Sequence, residues 1–229
     1  MHLTGHETRE KIFNFRSTRL TTNSLGMMNY CILAILWIIW CALHSGMISV
    51  GMTSYLKHRL GASYRFYRLI FNLLAFVTLL PVVLYTLSIR GPVVFRWEGY
   101  LIIVQVLLLA TSIFLFVAGA RHYDLLKFLG IRQIRRETAS GALTASGLLA
   151  TTGIHGVIRH PWYLASIMII WARGLDVSAL ITNIILTAYF IVGTVLEEHK
   201  LVLEYGEAYR RYQKQVSMLV PFKYLRSRL

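Results

Sequence analysis

Two stretches carry most of the side chains whose type and spacing could do chemistry. In the first, residues 153–163 read G-I-H-G-V-I-R-H-P-W-Y, so that Arg159 and His160 stand directly before Pro161. Proline fixes its own φ and lacks an amide hydrogen, which suits Pro161 to the first position of a helix continuing from Trp162 to Ala172. A guanidinium and an imidazole then sit at a helix mouth beside unpaired amide hydrogens, a place to hold an anionic or polar ligand. The same two residues also fit a pair of interfacial cations flanking a membrane span. The second stretch starts at Leu196-Glu197-Glu198 and runs on as H-K-L-V-L-E-Y-G-E-A-Y-R-R-Y-Q-K-Q-V. Alone, Glu197 and Glu198 read equally as interfacial carboxylates.

The elements that must position these residues are apolar and helical. Of the 229 residues 56% are hydrophobic, in long uninterrupted runs that belong in a bilayer and not in a soluble core. The formal charge of +14 is spread between those runs with no basic stripe, so membrane topology explains it and a nucleic-acid partner is not expected. Residues 1–26 form a polar amino-terminal tail or short surface helix with Arg9, Lys11, Arg16 and Arg19, and do not read as a cleavable signal peptide. Residues 27–229 form a single membrane domain. Its first span, 27–50, contains His44, which a neighbouring helix or the interface would accommodate. Cys31 and Cys41 lie about 15 Å apart along that helix and cannot pair within it.

A basic connector with Lys57, Arg59, Arg65 and Arg68, and with Tyr64 and Tyr67 at the interface, leads to a second span over 67–89. Pro81 should bend that span, and Asn72 fits an interhelical hydrogen bond. A Gly91-Pro92 turn precedes a third span over 99–120, interrupted only by Gln105. Residues 121–146 are basic and turn-rich, and 143–158 are broken by Gly147, Gly153 and Gly156, as in a re-entrant or cofactor-approach segment. Residues 161–172 make about 18 Å of helix, too short to cross unaided, and form a hairpin with a fifth span over 177–196. Beyond it Leu201, Tyr205, Tyr209, Tyr212 and Val216 recur at helical spacing on an amphipathic, cytoplasmic helix. The predicted fold is therefore all-α, with about five spans and no strand pattern. Five spans put 17 of the 24 lysines and arginines on the side of the carboxyl terminus, which predicts that this side faces the cytoplasm.

Together, R-H-P-x-Y, an apolar hairpin, E-E, then Y-G-x-x-Y-x-x-Y and Pro221 resemble the isoprenylcysteine carboxyl methyltransferase family of integral membrane enzymes, over roughly residues 143–222. In the first half, Leu43-His44-Ser45, Tyr64-Arg65, Tyr67-Arg68-Leu69, Asn72, Pro81, Asp124 and Gly130-Ile131-Arg132-Gln133 resemble the NnrU and methanethiol S-methyltransferase branch of the same superfamily. The resemblance implies that His160, Pro161, Trp162, Tyr163 and Glu197 contact S-adenosyl-L-methionine, with Glu198 beside them. A family aromatic contact becomes His155 here. An arginine that holds the prenylcysteine substrate, four residues before the cofactor-binding glutamate, becomes Gly193.

The absence of a G-x-G-x-x-G after a strand excludes a Rossmann-type cofactor domain, so helices must hold any cofactor. S-adenosylmethionine suits the groups present: Glu197 for hydroxyls or the amino group, Arg159 and His160 for its carboxylate, Tyr163 or Trp162 for the sulfonium. The expected catalytic set is Arg159, His160 and Glu197, with His44 and Arg68 as candidates toward the substrate. In-line methyl transfer needs orientation and exclusion of water, and a thiol acceptor would attack as thiolate, favoured by Arg159 or a nearby histidine. The loss of an arginine at Gly193 favours a small or apolar thiol over carboxyl O-methylation of isoprenylcysteine. Readings from other classes are a haem-binding, carotenoid-isomerase-like protein with His44 as a ligand, a non-catalytic membrane partner, and a helical NADPH reductase. No metal site is expected.

Overall fold

In the computed structural model the described residues are 5–121, 126, 129–134 and 149–226, with side chains described from residue 26 onward. Helix α1, Gly5–Ile48, runs unbroken from the polar amino-terminal stretch into the first apolar one. Of its length, Gly26–Ile48 is apolar enough to cross a membrane. Ser49 ends it and starts α2, Val50–Leu60, by accepting the Met52 amide on its side chain at 3.3 Å. A 3-10 turn, Gly61–Phe66, leads into α3, Tyr67–Ser88, and the stretch Val50–Ser88 holds a second helix of spanning length and polarity. Helix α4, Leu101–Ala120, is the third. A short helix α5, Ile131–Ile134, lies in the connection that follows; Asp124 and residues 135–148, including the start of the expected re-entrant segment, lie outside the described residues. Asn72 on α3 donates to the Leu129 carbonyl at 3.3 Å and so ties this connection down.

Helix α6, Pro161–Trp171, begins at the proline, as the residue type requires, and a turn leads to α7, Val177–Tyr205, the fourth helix long and apolar enough to cross. The Asp176 side chain caps α7 by accepting the Ala179 amide at 2.8 Å. The expectation that no strand occurs is corrected here. Strand β1, Val93–Phe95, pairs antiparallel with β2, Leu175–Asp176, in the register Val93↔Asp176 and Phe95↔Leu175. Segments of three and two residues are too short for an alternating pattern to announce them.

This pairing fixes the course of the chain. The α3–α4 connection and the α6–α7 turn lie at one end of the bundle, where Trp97 also donates to the Arg173 carbonyl at 3.1 Å. Helix α6 runs back along α4: Trp162 Nε1 donates to Phe116 O at 3.1 Å, Ser112 Oγ to Ala165 O at 2.8 Å, and Gln105 Nε2 to Ala172 O at 2.8 Å. Thus α6, with 11 residues, completes the path between the two ends although it is shorter than a span. Among the described residues, the five passes expected from sequence correspond to four helices long and apolar enough to cross and one shorter apolar helix.

Many polar atoms between helices pair with one another, while the outward faces are apolar: Leu73, Phe76, Leu80, Ile103, Leu107 and Phe114 are all exposed. That inversion is what a bilayer demands of a polytopic protein. Inside, Leu33, Trp37 and Val82 join α1 to α3, and Trp37 Nε1 donates to Thr86 Oγ1 at 3.1 Å. Contact between α4 and α6 depends on Gly119, where an added Cβ would lie 2.5 Å from Trp162 Nε1 and 2.7 Å from its Cδ1. A hydrogen-bonded indole cannot move aside cheaply, so Gly119→Ala is expected to lose about 1–3 kcal/mol of stability, read as a lower melting temperature in detergent. An unchanged melting temperature would contradict this packing.

The carboxyl-terminal amphipathic pattern is two helices where the sequence suggests one. Helix α7 ends at Gly206, whose φ of +55° and ψ of −131° suit only glycine, and α8, Glu207–Gln215, leaves in a new direction. The apolar face then folds inward: Tyr209, Tyr212 and Val216 are buried together, with Leu149, Leu201, Val202 and Tyr205 against them. A last short helix, α9, Phe222–Arg226, follows.

Candidate functional site

The R-H-P segment is held in place by the chain's carboxyl-terminal region. Residues Gly153–Gly156 make a 3-10 turn, after which Ile158 forms a parallel bridge with Ser217. The amide of Arg159 donates to Ser217 O at 2.9 Å and that of His160 to Met218 O at 3.1 Å. Tyr212 donates its phenol hydrogen to the His155 carbonyl at 2.6 Å, and His155 Nδ1 lies 3.3 Å from Arg159 O. His160 stands before the proline outside the helical region, with φ −123° and ψ 67°, and its amide and that of Arg159 provide the edge onto which residues 217 and 218 dock.

Glu198 is the hub of the side-chain cluster. Its Oε1 accepts from Arg159 Nε at 2.5 Å, from His160 Nε2 at 3.1 Å and from the Tyr209 hydroxyl at 3.4 Å, while Oε2 accepts from Gln213 Nε2 at 2.7 Å. Only an ionised carboxylate can accept from all four, and acceptance at Oε1 makes His160 Nε2 the protonated nitrogen. Arg159 is further engaged through Nη1, which donates to the carbonyls of Gln213, at 3.1 Å, and Val216. Burial raises the pKa of Tyr209, and the neighbouring Glu198 charge raises it further, so this phenol donates as a neutral group. Arg159, His160 and Glu198 are all buried, which makes this a desolvated, hydrogen-bonded ion cluster.

Glu197 is placed differently. One residue earlier on α7, its side chain keeps 34% of its exposure against 11% for Glu198, and its Oε2 lies 3.7 Å from His160 Nδ1. His160 therefore presents one nitrogen to the buried hub and the other toward the more open carboxylate. The ring of Tyr163 stands edge-on to His160 at 5.6 Å and edge-on to Phe190 at 6.1 Å. A Cβ built on Gly193 would meet Tyr163 Cε1 at 3.4 Å.

Of the residues singled out from sequence, the fold brings Arg159, His160, Pro161, Tyr163, Glu197 and Glu198 together. Trp162 is turned onto α4, where it bonds to Phe116 O, and His155 contributes its backbone to the Tyr212 contact. His44 and Arg68 lie on α1 and α3, apart from this cluster. Sequence reasoning missed Gln213 and treated Tyr209 and Tyr212 only as an apolar face. Tyr209, Tyr212, Gln213 and Val216 follow the i, i+3, i+4, i+7 spacing, and a glutamine within such a stripe was the available signal.

Fold and site together define a polytopic helical membrane protein whose carboxyl-terminal helix is locked by a buried Arg-His-Glu cluster onto a proline-started helix. Known proteins resemble it in part. The chain is 36% identical over 101 residues to methanethiol S-methyltransferase of Pseudomonas deceptionensis, covering 44% of this chain and 37% of that protein. It is 31% identical over 103 residues to methanethiol S-methyltransferase 1 of Bradyrhizobium diazoefficiens, covering 44% and 35%. With protein-S-isoprenylcysteine O-methyltransferase of Schizosaccharomyces pombe the identity is 35% over 80 residues, covering 32% and 33%. The matched stretch thus spans little more than a third of these relatives' length. No family model and no solved structure matches the chain. The chain is thus similar, over part of its length, to methanethiol S-methyltransferases and to an isoprenylcysteine O-methyltransferase.

Proposed function

We propose that this membrane protein is an S-adenosylmethionine-dependent methyltransferase acting on the sulfur of a small or apolar thiol. The observation that carries the reading is His160, pinned through Nε2 to the buried Glu198 and facing the more exposed Glu197 through Nδ1. The donor set suits the cofactor: Glu197 offers an acceptor for hydroxyl or ammonium hydrogens, and the Tyr163 ring offers an aromatic surface for a cation. When bound, S-adenosylmethionine supplies an electrophilic methyl group. In this reading Glu197 and His160 bind and orient it, and Tyr163 helps exclude water. Arg159, Glu198, Tyr209 and Gln213 are positioning residues that hold the imidazole in one tautomer and rotamer. This revises the expected role of Arg159, whose Nε and Nη1 are engaged within the protein and are not offered to a substrate. The 17 of 24 cationic residues expected on this side favour a cytoplasmic site.

Choice of acceptor turns on charge. Gly193, where the resembled carboxyl methyltransferases carry an arginine, lies against the Tyr163 ring and brings no cation. Arg173 cannot take that role, because it is bonded to Asn183 Oδ1 at 2.6 Å, about 21 Å along α7 from Glu197 at 1.5 Å per residue. A neutral thiol needs no such partner, whereas a substrate carboxylate does. The methanethiol S-methyltransferases among the relatives point the same way. Offered methanethiol and a farnesylcysteine analogue together with labelled S-adenosylmethionine, the purified protein is expected to form the thioether and no base-labile methyl ester. Ester without thioether would reverse the acceptor assignment.

A further inference from the structure

The cluster around Glu198 leaves unused a second group of polar and aromatic side chains between α1, α3 and α7. At its centre is His44. Its ring is stacked on Trp40 with centroids 5.0 Å apart and 26° between planes, lies 4.9 Å from Phe71, and faces the edge of Tyr189 at 6.3 Å. Other polar atoms nearby have partners: Trp40 Nε1 donates to Thr78 Oγ1 at 3.3 Å, Ser45 Oγ to the Tyr189 hydroxyl at 3.5 Å, and Tyr67 to Met47 O. His44 Nδ1, in contrast, is buried with no hydrogen-bond partner among the described residues. An unsatisfied imidazole nitrogen in a dry site is costly to keep, and a ligand that brings one weak donor would satisfy it.

The slot is connected to the site at α6. Tyr189 touches Phe190 at 5.7 Å, Phe190 touches Tyr163 at 6.1 Å, and Tyr163 touches His160 at 5.6 Å. Tyr189, Gly193 and Glu197 are spaced by four on α7 and so share one face, with about 12 Å along the axis between the first and last. Between them Gly193 brings only a hydrogen, and the Tyr163 ring lies against it. The slot and Glu197 thus mark the two ends of one face of α7, with the Tyr163 ring against Gly193 between them. Outward, the slot is bordered by side chains open to the bilayer, Ile39, Leu43 and Val192.

We propose that this aromatic slot is the acceptor site, filled from the bilayer by a small uncharged thiol, with His44 Nδ1 taking the thiol proton; the proposal rests on the methyltransferase reading above. The ligand class follows from the lining. Rings on three sides favour a polarisable sulfur, and the unpaired nitrogen favours a weak S–H donor. In the reaction the S–H bond breaks and its proton passes to Nδ1. The thiol sulfur's pair forms the new S–CH3 bond, while the pair of the broken CH3–S bond stays on the donor's sulfur. His44 then returns the proton to solvent.

The test uses the full chain in detergent. Ethanethiol is titrated against tryptophan fluorescence without cofactor, since Trp40 is stacked on His44; S-adenosylhomocysteine binding is measured separately by calorimetry. In His44→Phe the ring stack is kept and the nitrogen removed: ethanethiol affinity and kcat/KM are each expected to fall at least tenfold, with S-adenosylhomocysteine affinity within twofold of the native protein. His44→Asn, which can accept a hydrogen bond but not a proton, is expected to keep thiol binding and lose kcat. Ethanethiol affinity and kcat/KM within twofold in either variant would overturn the role of His44, and no ethanethiol-dependent fluorescence change in the native protein would overturn the slot. Absence of S-adenosylhomocysteine binding in the native protein would count against the methyltransferase reading instead, and the fluorescence titration decides the slot independently of it.

Discussion

Glu198→Ala is expected to destabilise the protein by about 3–5 kcal/mol, the range for removing one member of a buried ion pair. The loss is large because Glu198 accepts from Arg159, His160, Tyr209 and Gln213 at once, so its removal leaves a buried guanidinium without its counter-charge and several donors without an acceptor. Failure should start where those donors reside. Tyr209 and Gln213 belong to α8, so this helix and residues 217 and 218 behind it should detach first, leaving the membrane helices in place. Thermal unfolding in detergent measures the size of the effect, and limited proteolysis near Gly206 locates it. Glu198→Gln keeps the shape and loses the charge, so a smaller loss is expected. A melting temperature and proteolysis pattern matching the native protein would mean that the cluster does not hold α8.

The neighbouring residue is expected to behave oppositely. Glu197→Gln should leave the melting temperature unchanged, since this side chain is a third exposed and, among the described residues, its ionic contact is with His160 Nδ1, at 3.7 Å. Affinity for S-adenosylhomocysteine should fall ten- to a hundredfold, as expected for removing the charge from one or two hydrogen bonds worth about 1.5–3 kcal/mol. Calorimetry on the purified protein reads it directly. If Glu197→Gln binds S-adenosylhomocysteine as the native protein does, the site is elsewhere. Paired with the Glu198 result, the experiment separates ligand binding from scaffolding at two adjacent residues of one helix.

That separation was not legible in the sequence. Two consecutive glutamates look alike in a string, and their different fates come from the roughly 100° turn between neighbours on a helix, which aims one at Arg159 and leaves the other more open. The same rotation explains Trp162, which shares a motif with His160 and Tyr163 yet is turned onto α4. What could be read was whatever has a long or rigid signature. Pro161 marks the start of α6, apolar runs mark the spans, and the stripe from Leu201 to Val216 marks an inward-facing surface. The pairing of Val93–Phe95 with Leu175–Asp176 has too few residues to show a period, and the break at Gly206 rests on one glycine's φ. Gln213 was passed over because a lone amide on a charged helix has no distinctive neighbour in sequence; its partner is reached only when α8 folds back.

The bridge between Ile158 and Ser217 bears on how the protein is made. Arg159 receives its carbonyl partner from Val216, 57 residues later in the chain. A ribosome makes the chain in order, so the segment before Pro161 and α6 are polymerised before the residues that complete the cluster. A chain halted after Tyr205 would hold α6 and α7 but lack Tyr209, Gln213 and Val216, and with them three of the contacts that fix Arg159 and Glu198.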